Sequence, residues 1–459
     1  MEEEKVELID RFEKTRVIKK VSKPKTKTKK VLRKIPVSKS KRTLGFRLMY
    51  FSMYFIALFS CLIVVSSHSR ELITDTLTLI IIFLNMSATG IFLAGLAMVL
   101  LNEKKKREKK LKPWIRAVAL LILSLYTIGG VSFTFLLYGP YSKFRDWLVT
   151  SAMTTMRHQH YATWFYSPKD MQKVFANNSI TETKEDTNPD LIDFDKKGTV
   201  KVYKNKYEEE ILDVKKGTKY KLIELDRDGY KGKMIVVYDP SMIALGISKG
   251  IGKEENIAYG QMLTTIAKDN KAIYGVNGGG FYDPDWNSRG GIPHGIVISR
   301  GKLIANNVKA GVGGGLVGFD EENRLILTRT TAADALEMGI RDAVEFGPYL
   351  IVNGKKSFIK GNGGWGHAPR TAIGQREDGI VLMVVIDGRQ LASKGADMHQ
   401  LTELMDNYGA VNAACMDGGT SSSMVMGDKF ISNPRNGANQ AKTRPIPNGW
   451  LVIDEEENI

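Results

Sequence analysis

Three long apolar runs, roughly Leu48–Ser66, Leu77–Leu101 and Ala117–Tyr138, follow one another near the start of the chain, and none of similar length comes after Tyr138. Each is nearly free of charge and lacks the polar stripe of an amphipathic helix. A hydrocarbon core about 30 Å thick takes about 20 apolar residues at a rise of 1.5 Å each, so the runs predict three transmembrane helices. Buried helices of a soluble protein would rarely come three in a row. The first run also lies too far from Met1, with no small-residue cleavage site after it, to fit a cleaved signal peptide.

From about Lys233 the pattern changes to short β-rich runs separated by glycine. Met234–Tyr238, Ala272–Val276, Gly295–Ser299, Leu316–Phe319 and Leu325–Thr328 have the length and Val/Ile content of strands. Thr371–Asp387 reads as a hairpin turning at Glu377-Asp378-Gly379. Its second strand, Ile380–Ile386, is apolar at every position, which requires cover on both faces. Helices are expected at Ile257–Asp269 and Asp397–Tyr408, the latter with Met398, Leu401, Leu404, Met405 and Tyr408 on one face and Gly409 to end it. The expected fold class is α/β, an α+β domain with a mixed sheet, preceded by three transmembrane α-helices. No internal repeat suggests a propeller or solenoid.

Four regions follow. Residues 1–47 form a basic tail expected to be disordered, and residues 48–138 hold the three spans, at about 48–66, 77–101 and 117–138. Residues 139–232, polar and irregular with a helix expected over Phe144–His160, read as a juxtamembrane stalk and lead-in. Residues 233–454 form the folded domain. Arg157, His158 and His160 in the lead-in read as polar surface rather than a metal site.

Charge then fixes an orientation. The net charge of +16 is concentrated in residues 1–47, with 17 Lys/Arg against 6 Asp/Glu, and in residues 102–116, with 8 against 2. The loop between the first two spans holds Arg70 against Glu71 and Asp75, and the rest of the chain is neutral. Basic segments stay in the cytoplasm, so the expected topology is multi-pass in the cell membrane, N-terminus inside and C-terminal domain extracellular. A basic pI would suggest nucleic acid, but the neutral outer domain argues against it, and the Lys-rich tail suits anionic headgroups. The two cysteines, Cys61 in the first span and Cys415 in the outer domain, cannot pair within the chain. An exported domain without disulfides fits a bacterial surface.

Candidate chemistry lies in three glycine-rich segments: Asn277-Gly278-Gly279-Gly280-Phe281-Tyr282-Asp283, Asp387-Gly388-Arg389, and Asp417-Gly418-Gly419-Thr420-Ser421-Ser422-Ser423. An Asp-Gly at a strand end often only makes a turn. Asp387 and Asp417, however, end two central-looking strands whose ends are expected side by side, where ligand contacts gather. Successive N–H groups of a Gly/Ser/Thr run form a concave anion site, and Arg370, Arg389, Arg435 and Arg444 supply cations matched to phosphate. A phosphate on one side and carboxylates on the other suit cleavage at a sugar–phosphate linkage, with one carboxyl as acid or base and another stabilising oxocarbenium-like charge. The segments match neither a Walker loop nor a dinucleotide fingerprint.

The ordered set of these segments resembles the phosphodiester glycosidase family, in its bacterial membrane-anchored form. The resemblance runs over about Lys233–Asp454 and includes Val276–Tyr282, His294-Gly295 with Gly301-Lys302, Gly347–Gly354, Pro369–Gly374, Val385–Arg389, Leu401–Leu404 and Asn412–Gly419. It implies an enzyme, an uncovering-enzyme-like hydrolase of the N-acetylglucosamine-1-phosphodiester alpha-N-acetylglucosaminidase kind, acting on glycosyl phosphodiesters. It places Asn277, Arg370, Asp387, Arg389, Asp417, Gly418, Gly419 and Ser421 in the active-site cleft. Thr420 departs from the pattern, where the family commonly has a third glycine. Catalytic candidates are therefore Asp387, Asp417, Asn277 and His294, with Glu345 behind them. The phosphate-binding candidates are Arg370, Arg389, Gly418, Gly419, Thr420, Ser421 and Arg444. No cofactor or metal is expected, and the expected partners are a sugar-phosphate or glycan substrate of the cell envelope or an exopolysaccharide, and the membrane. The alternative is a non-catalytic or transferase role on phosphate-bearing glycans during polymer assembly.

Overall fold

The computed structural model describes residues 40–68, 75–101, 129–130, 132–133, 135–139, 141–155, 158–196, 202–227, 229–252, 259–282, 289–307, 315–436 and 440–454. Strands and helices are numbered along the chain as β1–β21 and α1–α9. Helices α1 (Ser40–His68) and α2 (Asp75–Leu101) contain the first two apolar runs. Residues 40–47, expected in the disordered tail, are the first turns of α1. The two helices pack as a hairpin in which Asn85 Nδ2 donates to the Ile56 carbonyl (3.3 Å) and Ser60 Oγ (2.9 Å). Among the described residues one helix, Ile81–Met98, is long and apolar enough to cross a membrane, and α1 holds a shorter apolar stretch, Leu44–Ser60. Most of the third expected span, residues 117–128, and the tail to residue 39 lie outside the described residues.

The folded domain is built on a seven-stranded sheet of order β14-β13-β18-β16-β17-β3-β2. Its members are β2 (Tyr220–Arg227), β3 (Tyr230–Val237), β13 (Tyr349–Val352), β14 (Lys355–Lys356), β16 (Arg370–Arg376), β17 (Val381–Ile386) and β18 (Ala410–Met416). Every pairing in it is antiparallel, and the domain is the mixed α/β, sheet-rich unit expected, in its α+β form. The fully apolar β17 is explained by cover on both faces. Val381, Met383 and Val385 enter one core, and Leu382, Val384 and Ile386 the other.

The first core is shared with two five-stranded antiparallel sheets. One, ordered β20-β19-β5-β21-β4, comprises β4 (Ile243–Ile247), β5 (Tyr274–Asn277), β19 (Met424–Met426), β20 (Lys429–Phe430) and β21 (Asn448–Val452). The other, ordered β11-β10-β12-β8-β9, comprises β8 (Gly295–Ser299), β9 (Lys302–Asn307), β10 (Gly315–Asp320), β11 (Leu325–Thr328) and β12 (Ile340–Phe346). Trp450 of β21 sits where the three sheets meet, fully buried, with its ring edge-on to Phe319 at 5.5 Å. The outer faces are closed by α7 (Leu263–Asp269) and α8 (Ala332–Glu337). A short pair, β6 (Phe281–Tyr282) with β7 (Ile292–Pro293), extends the chain beyond β5.

Helix α9 (Met398–Asn407) covers the second face of the seven-stranded sheet. Asp397 caps it through a reciprocal pair with Gln400, and Gly409 ends it at φ 81°. Arg376 links its end to the hairpin turn, gripping Asp378 and donating to the Tyr408 carbonyl at 2.8 Å. The helix expected from Ile257 begins only at Leu263. The backbone at Gln261 bridges to Ile446, and Gly260 N donates to the Arg289 carbonyl, so these residues pair with other segments instead of extending the helix.

The lead-in is part of the fold, which corrects its reading as a stalk. Strand β1 (Ser179–Thr181) pairs with β15 (Phe358–Lys360), Thr187 bonds to both backbone groups of Leu327, and α6 (Lys206–Leu212) buries Ile211. The sheet itself begins at Tyr220, ahead of the expected boundary. Between the apolar runs and β1 lie α3 (Ser142–Met153), α4 (His160–Thr163) and α5 (Pro168–Asn177). Replacing Trp450 with Ala removes the largest buried side chain of the three-sheet core. The expected loss is about 3–5 kcal/mol of unfolding free energy in denaturant melts followed by circular dichroism; a loss below about 1 kcal/mol contradicts its central place.

Candidate active site

Strand β16 runs between β17 and β18 and is antiparallel to both, so those two strands end on the same edge of the sheet. Arg370 pairs with Ile386 and Thr371 with Met416, which places Asp387 and Asp417 on either side of the start of β16. The backbones of such strands lie about 10 Å apart, two interstrand spacings. The two turns are held against the same segment. Gly419 N donates to the Pro369 carbonyl at 2.9 Å, and a Cβ on Gly388 would lie 2.6 Å from Pro369 N, so this approach excludes any side chain at 388.

Arg370 forms the floor. It is 3 % exposed, and its donors go to main-chain carbonyls: Nε to Ala396 (3.0 Å), and Nη2 to Trp365 and Gly366 (2.7 Å each). Burial pushes its pKa down. These bonds tie the 365–366 loop to the start of α9, so Arg370 organises the site rather than gripping a phosphate with its whole fork. Asn277, also buried, has a similar part. Its Nδ2 donates to the Asp417 carbonyl (2.7 Å), and its Oδ1 accepts from Thr371 Oγ1 (2.7 Å) and Ser423 N (3.1 Å). It positions the Asp417 turn.

The turn Gly418–Ser421 carries the cations on its rim. Gly419 has φ 63°, and a Cβ there would sit 3.0 Å from Arg389 Nη2. Arg389, itself at φ 60°, donates through Nη1 to Thr420 Oγ1 (3.0 Å) and to the Arg435 carbonyl (3.2 Å). Thr420, the departure from the family pattern, thus aims this guanidinium. A bulky residue at positive φ is strained, and such residues cluster at working sites. Arg444 donates to Ser421 Oγ (2.7 Å), pairs with Asp417 (3.2 Å) and lies over the Phe281 ring at 4.4 Å. Burial, then Arg444 and Arg370, push Arg389 down to about 10. Among the described residues neither Arg370 nor Arg389 has a carboxylate within ion-pair distance. Guanidinium groups gathered without enough counter-charge make a site that an anion completes.

Asp387 is half-buried. Its Oδ1 accepts from Asn433 N (2.8 Å), and its own carbonyl accepts from Ser393 Oγ (2.5 Å). Burial pushes its carboxyl above the usual range, against the Asn433 bond and the charges of Lys233 and Arg435. His294 lies beside the glycine segment, its N–H on the Gly280 carbonyl (3.0 Å), and Glu345 accepts from Ile296 N within the sheet (3.1 Å). His367 was missed in the sequence. It lies on the loop that Arg370 holds, half-buried, with Nε2 3.9 Å from Asp397 and a pKa lowered first by burial. Its one sequence signal is its place three residues before Arg370. Asn433, Thr443 and Asn448, which brace the turns, gave no signal because their partners lie far along the chain. Cys415 is buried beside Arg370, and burial pushes its thiol up to about 12, the setting of a structural cysteine. Among the described residues no group of three or more His, Cys, Asp or Glu is placed to hold a metal ion. Asp283 and Arg157 lie outside the described residues.

Residues 270–453 match the family model for phosphodiester glycosidase, which bears out the resemblance carried by the motifs. A relative from Bacillus subtilis (strain 168), the SPbeta prophage-derived uncharacterized protein YomE, is 30% identical over 189 residues. The match covers 39% of this chain and spans 28% of that relative's length. Among solved structures, the catalytic domain of zebrafish N-acetylglucosamine-1-phosphodiester alpha-N-acetylglucosaminidase, auto-inhibited by its pro-peptide, has 21% identity and a TM-score of 0.43. That likeness covers 51% of this chain and 82% of that one. A hypothetical protein from Synechocystis has 16% identity and a TM-score of 0.38, over 50% of this chain and 61% of its own.

The raised pKa of Asp387 has a consequence for stability. Between its ordinary and raised values the folded state binds more protons than the unfolded one, so stability is lost as pH rises through that window. Asp387→Asn removes this penalty. The variant is expected to melt at a higher temperature than the parent at pH 7, with the gap closing at acid pH, in thermal scans across pH; an equal or lower melting point at pH 7 refutes the assignment.

Proposed function

We propose that the chain is a membrane-anchored hydrolase of glycosyl phosphodiesters, with its active site at the Asp387–Arg370–Asp417 edge of the seven-stranded sheet. The observation that carries this reading is the set of guanidinium groups around Gly418–Ser421, short of counter-charge and flanked by two carboxyl groups. In the reaction water adds at the anomeric carbon, the bond from that carbon to the bridging oxygen breaks, and the phosphomonoester leaves with that oxygen. Arg389 and Arg444, with the N–H groups of the glycine turn, are suited to the departing phosphate. Asp387, with its carboxyl raised by burial, is suited to hold a proton for the leaving oxygen. Asp417, paired with Arg444, is suited to orient the water and stabilise positive charge on the sugar ring. Asn277 and Arg370 act by position. His294, at the edge beside Gly280, is the remaining candidate and lacks a defined step.

The multi-pass reading rests on the apolar helices and the charge asymmetry of the segments between them. It is supported by packing: Phe59 of α1, Ile81 and Ile82 at the start of α2, and Leu137 and Tyr138 at the end of the third run share one cluster with α3 and α5. Residues of the three runs thus pack with the helices that lead into the folded domain. This is the arrangement expected when the N-terminus is cytoplasmic and the domain extracellular, in reach of cell-envelope or exopolysaccharide sugar phosphates.

Purified full-length protein is expected to release free sugar from a glycosyl 1-phosphate methyl diester. Asp417→Asn should lower kcat by about 10²–10⁴-fold. Arg389→Ala should lower kcat/KM by about 10²–10³-fold and weaken inhibition by inorganic phosphate. Binding of the diester without release of sugar would favour the non-catalytic alternative, and transfer of sugar to an added glycan would favour a transferase.

A further inference from the structure

The loop that Arg370 holds is also fastened to the helix that follows the spans. Asn362 Nδ2 donates to Thr150 Oγ1 of α3 at 2.9 Å, and Gly366 lies so close that a Cβ there would be 2.2 Å from Ser151 Oγ. The same Gly366 carbonyl accepts from Arg370 at 2.7 Å. A continuous set of contacts therefore runs from α3 to the floor of the active site.

Helix α3 does not carry the site away from the membrane. Its Val149 and Ala152 share a cluster with Leu137 and Tyr138 at the end of the third run, and Tyr166 Oη donates to the Leu137 carbonyl at 2.8 Å. Packed helices lie about 8–10 Å apart, so Ser151 is about one helix diameter from the end of the span, and Arg370 is one loop further. Four aromatic side chains in this region, Tyr141, Trp147, Tyr161 and Trp164, are 42–58% exposed. That composition is typical of a membrane–water interface. On the rim of the cleft, two residues after Arg389, Leu391 has its whole side chain in solvent.

From these placements we infer that the substrate is a lipid-linked glycosyl phosphodiester, a sugar joined through one phosphate to a hydrophobic chain in the bilayer that anchors the protein. The inference rests on the hydrolase reading above and specifies its substrate. Water supplies the hydroxyl to the anomeric carbon, the bond from that carbon to the bridging oxygen breaks, and the lipid keeps the phosphate as a monoester, with the second proton of water on the released oxygen. A site held at headgroup level meets such a phosphate without lifting the lipid from the membrane. A soluble polymer gains nothing from that placement.

The test uses full-length protein in phospholipid vesicles with two diesters of the same sugar phosphate, one a soluble methyl ester and one embedded through a long tail. Parallel arms with isoprenoid and diacylglycerol tails identify the source of the lipid. Confinement to one surface raises effective concentration, so the embedded diester is expected to turn over at least about 10²-fold more efficiently in one arm. Release from the soluble ester at equal or higher efficiency than from both embedded ones overturns the inference and leaves the hydrolase reading standing. Release from none overturns both. A rigid helical spacer of about fourteen residues after Gly139 lifts the domain by about 20 Å. It should abolish the preference while keeping the rate on the soluble ester, which also reports folding; a preference that survives the spacer counts against the inference.

Discussion

The buried guanidinium of Arg370 is the interaction on which the site depends. A cation taken out of water costs several kcal/mol unless its donors are met, and here main-chain carbonyls of two separate loops meet them. One loop leads back to α3 and the other opens α9. Because Arg370 begins the strand between β17 and β18, the same residue fixes the edge from which Asp387 and Asp417 emerge. Removing it would leave carbonyls without partners and free both loops.

Around that floor the site is electrostatically incomplete. Arg389 is held at positive φ by the Thr420 hydroxyl and the Arg435 carbonyl, close to other cations, and burial drives its pKa down. Asp387 is disfavoured in its charged form. Both features cost stability, and perturbed groups gathered in this way mark candidate working sites. The well-packed cores on either side of the seven-stranded sheet supply the stability that tolerates this strain.

The apolar N-terminal helices and the sheet domain are joined by packed contacts rather than strung on a linker. Polar residues from 179 to 195 bind the sheet edges, as when Glu182 Oε2 accepts from Tyr349 N at 2.8 Å and pairs with Arg329. The cluster around Tyr138 and Tyr166 closes the connection at the end nearer the apolar helices.

Much of this was legible in the sequence because it follows from local periodicity. The apolar runs, the 371–387 hairpin, the strands at 295–299 and 325–328 and the capped helix ending at Gly409 depend on near neighbours, and burial on both faces was readable from the unbroken apolar β17. Asp387 and Asp417 were identifiable as a pair because each ends such a strand. What only the tertiary structure decided were contacts between distant segments. The antiparallel pairing, the folding of the polar lead-in onto the sheets, the bonding of Gly260 to Arg289 and of Gln261 to Ile446, and the hydrogen bonds that hold Arg370 and Asn277 all depend on such partners. Periodicity shows which face of a segment is buried, but a hydrogen bond between residues a hundred positions apart leaves no local pattern.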